Sequence, residues 1–132
     1  YSGFISAKYE AKQNEISGLR KACQDSLRAL NKDSTEIRNL WRERFRAEMK
    51  KVQPSLSDLV DHIDYIVKLV GDDYVGLGSD YDGVSALPEG LEDVTTYPKI
   101  TEELVRRGYS EKSIKKILGG NVLRVMKANF KK

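Results

Sequence analysis

Five residues, Tyr74-Val-Gly-Leu-Gly78, do most to limit the folds open to this 132-residue chain. Short, apolar and interrupted by glycine, they read as a strand buried on both faces, the kind found in parallel sheets. They follow an amphipathic helix after a tight turn, and helix, turn and buried strand together make an α/β unit. A parallel strand needs neighbours, yet the chain offers only one other candidate, Tyr1-Ser-Gly-Phe-Ile-Ser6, which reads as the end of a strand already under way at Tyr1. Two strands alone leave open edges that invite pairing, so a homo-oligomer is one expected state of the isolated chain. The chain starts without a methionine and is expected to be a piece of a longer protein.

Between the candidate strands, residues 7–54 are polar and helix-favouring. Ile16, Leu19, Cys23, Leu27 and Leu30 recur at spacings of three and four and mark the apolar stripe of one helix. Asp33-Ser-Thr-Glu36 has the pattern of a capping box and predicts a second helix, with Ile37, Leu40, Trp41, Phe45 and Met49 inward and Pro54 past its end. Ser55-Leu-Ser-Asp58 repeats the cap pattern; Leu56, Val60, Ile63, Val67 and Val70 then share a face, and Gly71 fits the stop. Residues 79–97 lack periodicity and carry Asp80, Asp82, Glu92 and Asp93, a long acidic loop of the kind that usually serves function. Pro98 predicts the start of a helix with Ile100, Leu104 and Val105 inward, and Ser110 the start of another with Ile114, Ile117 and Leu118. Gly119-Gly-Asn121 should break that helix, with Asn121 capping a last one that carries Val122, Val125 and Met126.

Composition removes several function classes. Cys23 is the only cysteine and His62 the only histidine, so an internal disulfide and an all-cysteine metal site are excluded, and most ligands of any metal must come from elsewhere. His62, between acidic neighbours on a helix, reads as a structural or surface residue, and Cys23 as a small apolar side chain. No run approaches the roughly 20 apolar residues of a membrane span. Residues 8–51 hold twelve Lys or Arg against seven acids, residues 55–110 four against twelve, and residues 111–132 seven against one. The basic flanks are interleaved with glutamates and lack an aromatic stacking platform, which argues against a nucleic-acid partner.

The functional candidates cluster in Gly76-Leu-Gly-Ser-Asp-Tyr-Asp-Gly83. Ligands of parallel α/β folds bind at the carboxyl ends of strands, where side chains and loop amides converge, and Asp80 stands at that end. A calcium loop of the EF-hand type would need Gly and Glu where Ser85 and Leu91 stand. A dinucleotide fingerprint would need a third glycine in place of Tyr81, and a phosphate loop its Gly-Lys-Ser/Thr ending. From the residues themselves two readings stay open for Asp80 and Asp82: site carboxylates, or caps of the loop.

The segments Asp61-His-Ile-Asp-Tyr-Ile66, Gly76-Leu-Gly-Ser-Asp-Tyr-Asp-Gly83, Leu87-Pro-Glu-Gly-Leu-Glu-Asp-Val94, Leu104-Val-Arg-Arg-Gly108 and Ile117-Leu-Gly-Gly-Asn-Val-Leu-Arg-Val125 resemble, in order, the C-terminal part of the renal or membrane dipeptidases. The resemblance implies an α/β fold, the C-terminal portion of a (β/α)8 TIM-type barrel, mostly helical with about two parallel strands. The whole of residues 1–132 would then be one partial domain: a barrel strand end at 1–6, a helical insert at 7–54, and the last strand-helix unit with C-terminal helices at 55–132. It also implies hydrolysis of dipeptides to free amino acids by a hydroxide bridging two zinc ions, whose ligands would all lie in the N-terminal remainder of the barrel. Asp80 is the matched site residue, binding the dipeptide's amino group and shuttling a proton; Tyr1 and Phe4 would face the same pocket. Taken alone, the chain is then expected to be inactive. The alternatives are a self-folding helical binding or structural module using its basic helices, and a cleavage product docked to its N-terminal partner.

Overall fold

A computed structural model of the chain describes residues 5–29, 34–84 and 86–130. The chain divides into two compact units, Ser2–Gln53 and Pro54–Lys132, and its described residues are mostly helical.

The first unit is a pair of helices, α1 (Ala7–Ala29) and α2 (Ser34–Lys50). Ser6 caps α1 by accepting the Tyr9 amide at 3.2 Å. Tyr9, Ile16 and Met49 are buried between the helices, and the Trp41 indole N–H donates to Cys23 Sγ at 3.0 Å. The apolar stripe is narrower than its spacing predicts, since Leu19 is exposed. The capping box at Asp33 and Glu36, and the side chains of Leu27, Leu30, Ile37 and Leu40, lie outside the described residues.

The second unit holds α3 (Leu56–Val70), α4 (Pro98–Arg106), α5 (Glu111–Lys115) and α6 (Asn121–Asn129), with 3-10 turns at Asp72–Tyr74 and Val94–Thr96. Local chemistry sets the helix ends as expected. Ser55 and Asp58 form a reciprocal capping box, Ser55 N donating to Asp58 Oδ2 at 2.7 Å and Asp58 N to Ser55 Oγ at 3.3 Å. Gly71 ends α3 at φ 94°, where a side chain would be strained. Pro98 opens α4 and Ser110 caps α5. Val60, Ile63, Val75, Leu91, Ile100, Leu104, Ile114 and Ile117 form one buried cluster, with Leu56, Leu59, Val67, Leu77, Tyr97 and Tyr109 against it.

Arg107, just past α4, ties that helix to α3. Its Nη1 lies 2.5 Å from Asp61 Oδ1 and 2.6 Å from Asp64 Oδ2, its Nε 2.8 Å from Glu103 Oε1, and its Nη2 donates to the carbonyl and hydroxyl of Ser57, each at 2.9 Å. The Tyr109 hydroxyl donates to the other Asp64 oxygen at 2.6 Å. Burial opposes the charge of Asp64, but hydrogen bonds from Tyr109 and Arg107 outweigh it and hold the carboxyl below its usual range. Burial and then Asp64 push the Tyr109 hydroxyl up to about 12.

Two expectations fail. The segment predicted as a strand at 74–78 is not one: Tyr74 closes a 3-10 turn, Val75 is extended (φ −108°, ψ 134°), and residues 76–80 follow without regular secondary structure or pairing. Among the described residues there is no strand, only an isolated parallel bridge between Ser55 and Glu89. The reason is that a strand is defined by its neighbours, and this segment has none to bond. The other expected strand, at 1–6, lies mostly outside the described residues. The predicted break at Gly119-Gly-Asn121 is present: Gly119 leaves helical geometry (φ 172°, ψ −19°) and kinks the chain between α5 and α6. Val70 and Val105, predicted to lie on the apolar faces of their helices, are exposed, and so are Leu118, Val122, Val125 and Met126.

Candidate functional site

Asp80 ends the unpaired segment, residues 75–80, that follows the 3-10 turn Asp72–Tyr74 after α3. The segment leaves the core at Val75, which is buried, and keeps Leu77 packed against the cluster. At Asp80 the chain reverses: the Gly83 amide donates to the Asp80 carbonyl at 3.1 Å. The carboxylate folds over this turn, so that a β-carbon added at Gly83 would stand 2.4 Å from Asp80 Oδ1 and 2.6 Å from Oδ2. Glycine at 83 is therefore what leaves room for the carboxylate. Asp80 and Asp82 are both exposed.

The acidic loop is pinned rather than loose. The Tyr81 hydroxyl donates to the Asp93 carbonyl at 3.0 Å, and its ring meets Tyr97 edge-on at 6.2 Å. Burial pushes the Tyr81 hydroxyl above its ordinary value, so it stays protonated and donating. Further along, Glu89 N donates to the Pro54 carbonyl at 2.7 Å and Leu56 N to the Glu89 carbonyl at 2.9 Å, clipping the loop to the start of α3. Leu91 sits in the core.

These bonds separate four of the loop's carboxylates by role. Glu92 accepts the Gly90 amide at 2.7 Å, which lowers its pKa. Asp93 accepts the Thr95 amide at 2.7 Å and the Thr95 hydroxyl, and the hydroxyl chiefly lowers its pKa. Both are caps of the loop. Among the described residues no donor is bonded to the side chain of Asp80 or Asp82. Such an exposed carboxylate can accept a cationic group or a proton from outside the chain.

The start of the unpaired segment is held by a residue whose spacing predicted a cap. Asn121 caps nothing with its side chain, since Gly120 takes the N-cap position of α6. Buried instead, its Nδ2 donates to the Asp72 carbonyl at 2.7 Å and to the Val75 carbonyl at 2.8 Å. No local pattern signals this, because the partners lie 46 and 49 positions away.

The remaining predicted site residues do not converge here. Tyr1 and Phe4 lie outside the described residues. His62 is exposed on α3, and among the described residues no three His, Cys, Asp or Glu side chains are grouped to hold a metal ion. Among them, too, no helix is long and apolar enough to cross a membrane.

Known proteins similar to part of this chain are named as dipeptidases. Dipeptidase 3 of Rattus norvegicus is 45% identical over 73 residues, 55% of this chain and 15% of its own length. Dipeptidase aclJ of Aspergillus oryzae is 53% identical over 72 residues, 54% of this chain and 17% of its own. The crystal structure of the probable dipeptidase PvdM from Pseudomonas aeruginosa superposes with a TM-score of 0.50 at 38% identity, covering 65% of this chain and 22% of that one. A family model of the membrane dipeptidases (peptidase family M19) matches residues 2–132, and the chain belongs to that family. It spans about a sixth of the length of these curated relatives.

Proposed function

We propose that this chain forms one wall of a dipeptidase active site within a longer protein, where Asp80 binds the free amino group of a dipeptide and passes a proton to the departing nitrogen. The observation that carries this reading is the Asp80 carboxylate, exposed at the end of the unpaired segment and bonded to no donor among the described residues, in a chain of the membrane dipeptidase family. An α-ammonium group would supply the missing charge-assisted donors. A carboxylate within hydrogen-bond reach of the scissile nitrogen can also move a proton there, a role that contributes about 10²–10⁴-fold to rate. Tyr1 and Phe4 would line the same pocket, Phe4 without a hydroxyl to offer.

The resemblance implies two zinc ions. The described residues do not fit them: no set of three ligating side chains is grouped. No reaction step through a metal is therefore assigned to these residues, and the metal ligands are proposed to lie on the rest of the longer protein. The same remainder would give the unpaired segment its strand neighbours and complete a (β/α)8 barrel. The chain alone would then lack activity.

Asp80→Asn in the longer protein tests the reading. Dipeptide kcat/KM should fall about 10²–10⁴-fold with the melting temperature unchanged, because the side chain is exposed. A fall of less than about threefold would exclude Asp80 as the proton-transfer group.

A further inference from the structure

We propose that Asn121 and Val122, at the start of α6, are positioning residues for Asp80; the assignment rests on the dipeptidase reading above for its purpose but not for its geometry. The unpaired segment has no lateral backbone support. Among the described residues the backbone groups of Gly76, Leu77, Gly78 and Ser79 make no hydrogen bond, whereas a strand would be bonded along its length. Apart from the packing of Leu77 against the core, its course is therefore set at its two ends. The far end is the turn closed by Gly83 and anchored through Tyr81. The near end is gripped by α6 at two successive residues. Asn121 uses both hydrogens of its carboxamide, one on Asp72 and one on Val75, so it fixes the exit of the 3-10 turn and the first extended residue together. A β-carbon at Gly76 would stand 3.0 Å from Val122 Cγ2, so the backbone there runs directly against the second residue of the helix.

The kink at Gly119 (φ 172°, ψ −19°) separates α6 from α5, and the first residue of α6, Asn121, is buried. Position 121 needs two donors and no acceptor facing the carbonyls. Aspartate has the same shape and neither donor. Asp80 follows Val75 by five residues, none of them bonded through the backbone between Gly76 and Ser79, so a change of direction at the grip is carried to the carboxylate.

The test uses the full chain, with isotope-labelled Asp80 observed by NMR alongside the amides of residues 75–80, and with melting recorded for each variant. Gly76→Ala should shift the Asp80 carboxyl and the amides of residues 77–80 while leaving α3 and α4 amides in place. Adding Val122→Ala, which removes the methyl that the new β-carbon meets, should return those resonances toward wild type; Asn121→Ala should shift the same set. If Gly76→Ala leaves Asp80 unmoved, or if the second substitution fails to restore it, the positioning role is overturned. Should Asn121→Ala not fold, the Gly76 and Val122 pair still decides. No arm contains a dipeptide, so this assignment can fail while the dipeptidase reading stands, and the reverse.

Discussion

Replacing Arg107 with methionine keeps the aliphatic stem and removes the fork that joins α3 to α4. The magnitude follows from which partners are covered. Asp61 is 63% exposed, and its contact with Arg107 should contribute no more than about 1 kcal/mol. Asp64 is 22% exposed and Arg107 14%, so this bond is partly shielded, and a hydrogen bond to a charged group contributes about 1.5–3 kcal/mol. The two bonds to Ser57 add on the order of 1 kcal/mol, and Glu103 keeps Arg106 and is left out of the sum. The total is about 3 kcal/mol, and at about 4–8 °C per kcal/mol for a small domain the melting temperature should fall by about 12 °C or more. Thermal unfolding at pH 7, followed through the Tyr109 environment, reads this directly. Arg107→Lys should fall between the two, because it keeps the charge but cannot reach Asp64, Glu103 and Ser57 together. A fall of less than about 4 °C for the methionine variant would show that water satisfies these carboxylates and that the cluster holds nothing together.

The same cluster sets an acid limit. Hydrogen bonds from Arg106 and then Arg107 lower Glu103 from 4.5 to about 2, and Asp64 is lowered as well. A carboxyl with a depressed folded pKa stabilises fully above its unfolded value and loses that contribution as pH falls through its folded one. The melting temperature should therefore decline as pH drops from about 4.5 toward 2, and more gently in the Arg107→Met protein. Gly83→Ala should leave the melting temperature nearly unchanged yet displace the Asp80 carboxylate, whose Oδ1 lies 2.4 Å from the new β-carbon. In the longer protein dipeptide kcat/KM would then fall by up to about 100-fold, and unchanged kinetics would mean that the carboxylate's place over the turn is irrelevant.

What could be read from the sequence was what local chemistry decides. Ser55 with Asp58, Gly71, Pro98 and Ser110 mark helix ends because caps and stops depend on residues within one turn. Asp80 stood out because an acidic group after an apolar, glycine-containing run marks a strand end in parallel folds, though the run itself stays unpaired for want of neighbours. Roles that depend on distant contacts were hidden. Nothing near Asn121 announces the Val75 carbonyl, and nothing near Arg107 announces Asp61 and Asp64, since helix packing creates both. Asp80, Asp82, Glu92 and Asp93 look alike in sequence; only the amides of Gly90 and Thr95 mark Glu92 and Asp93 as caps. The exposed apolar side chains of α6 fit a helical pattern whose covering partner is not among the described residues.

Asp80 is proposed to serve a site whose metal-binding half lies on the rest of the longer protein. Dipeptide hydrolysis by the purified 132-residue chain, assayed with added zinc and again with a chelator, tests this most directly. No hydrolysis above the uncatalysed rate is expected in either condition. Turnover that zinc supports and the chelator abolishes would contradict the proposal, because the chain would then hold a complete active site.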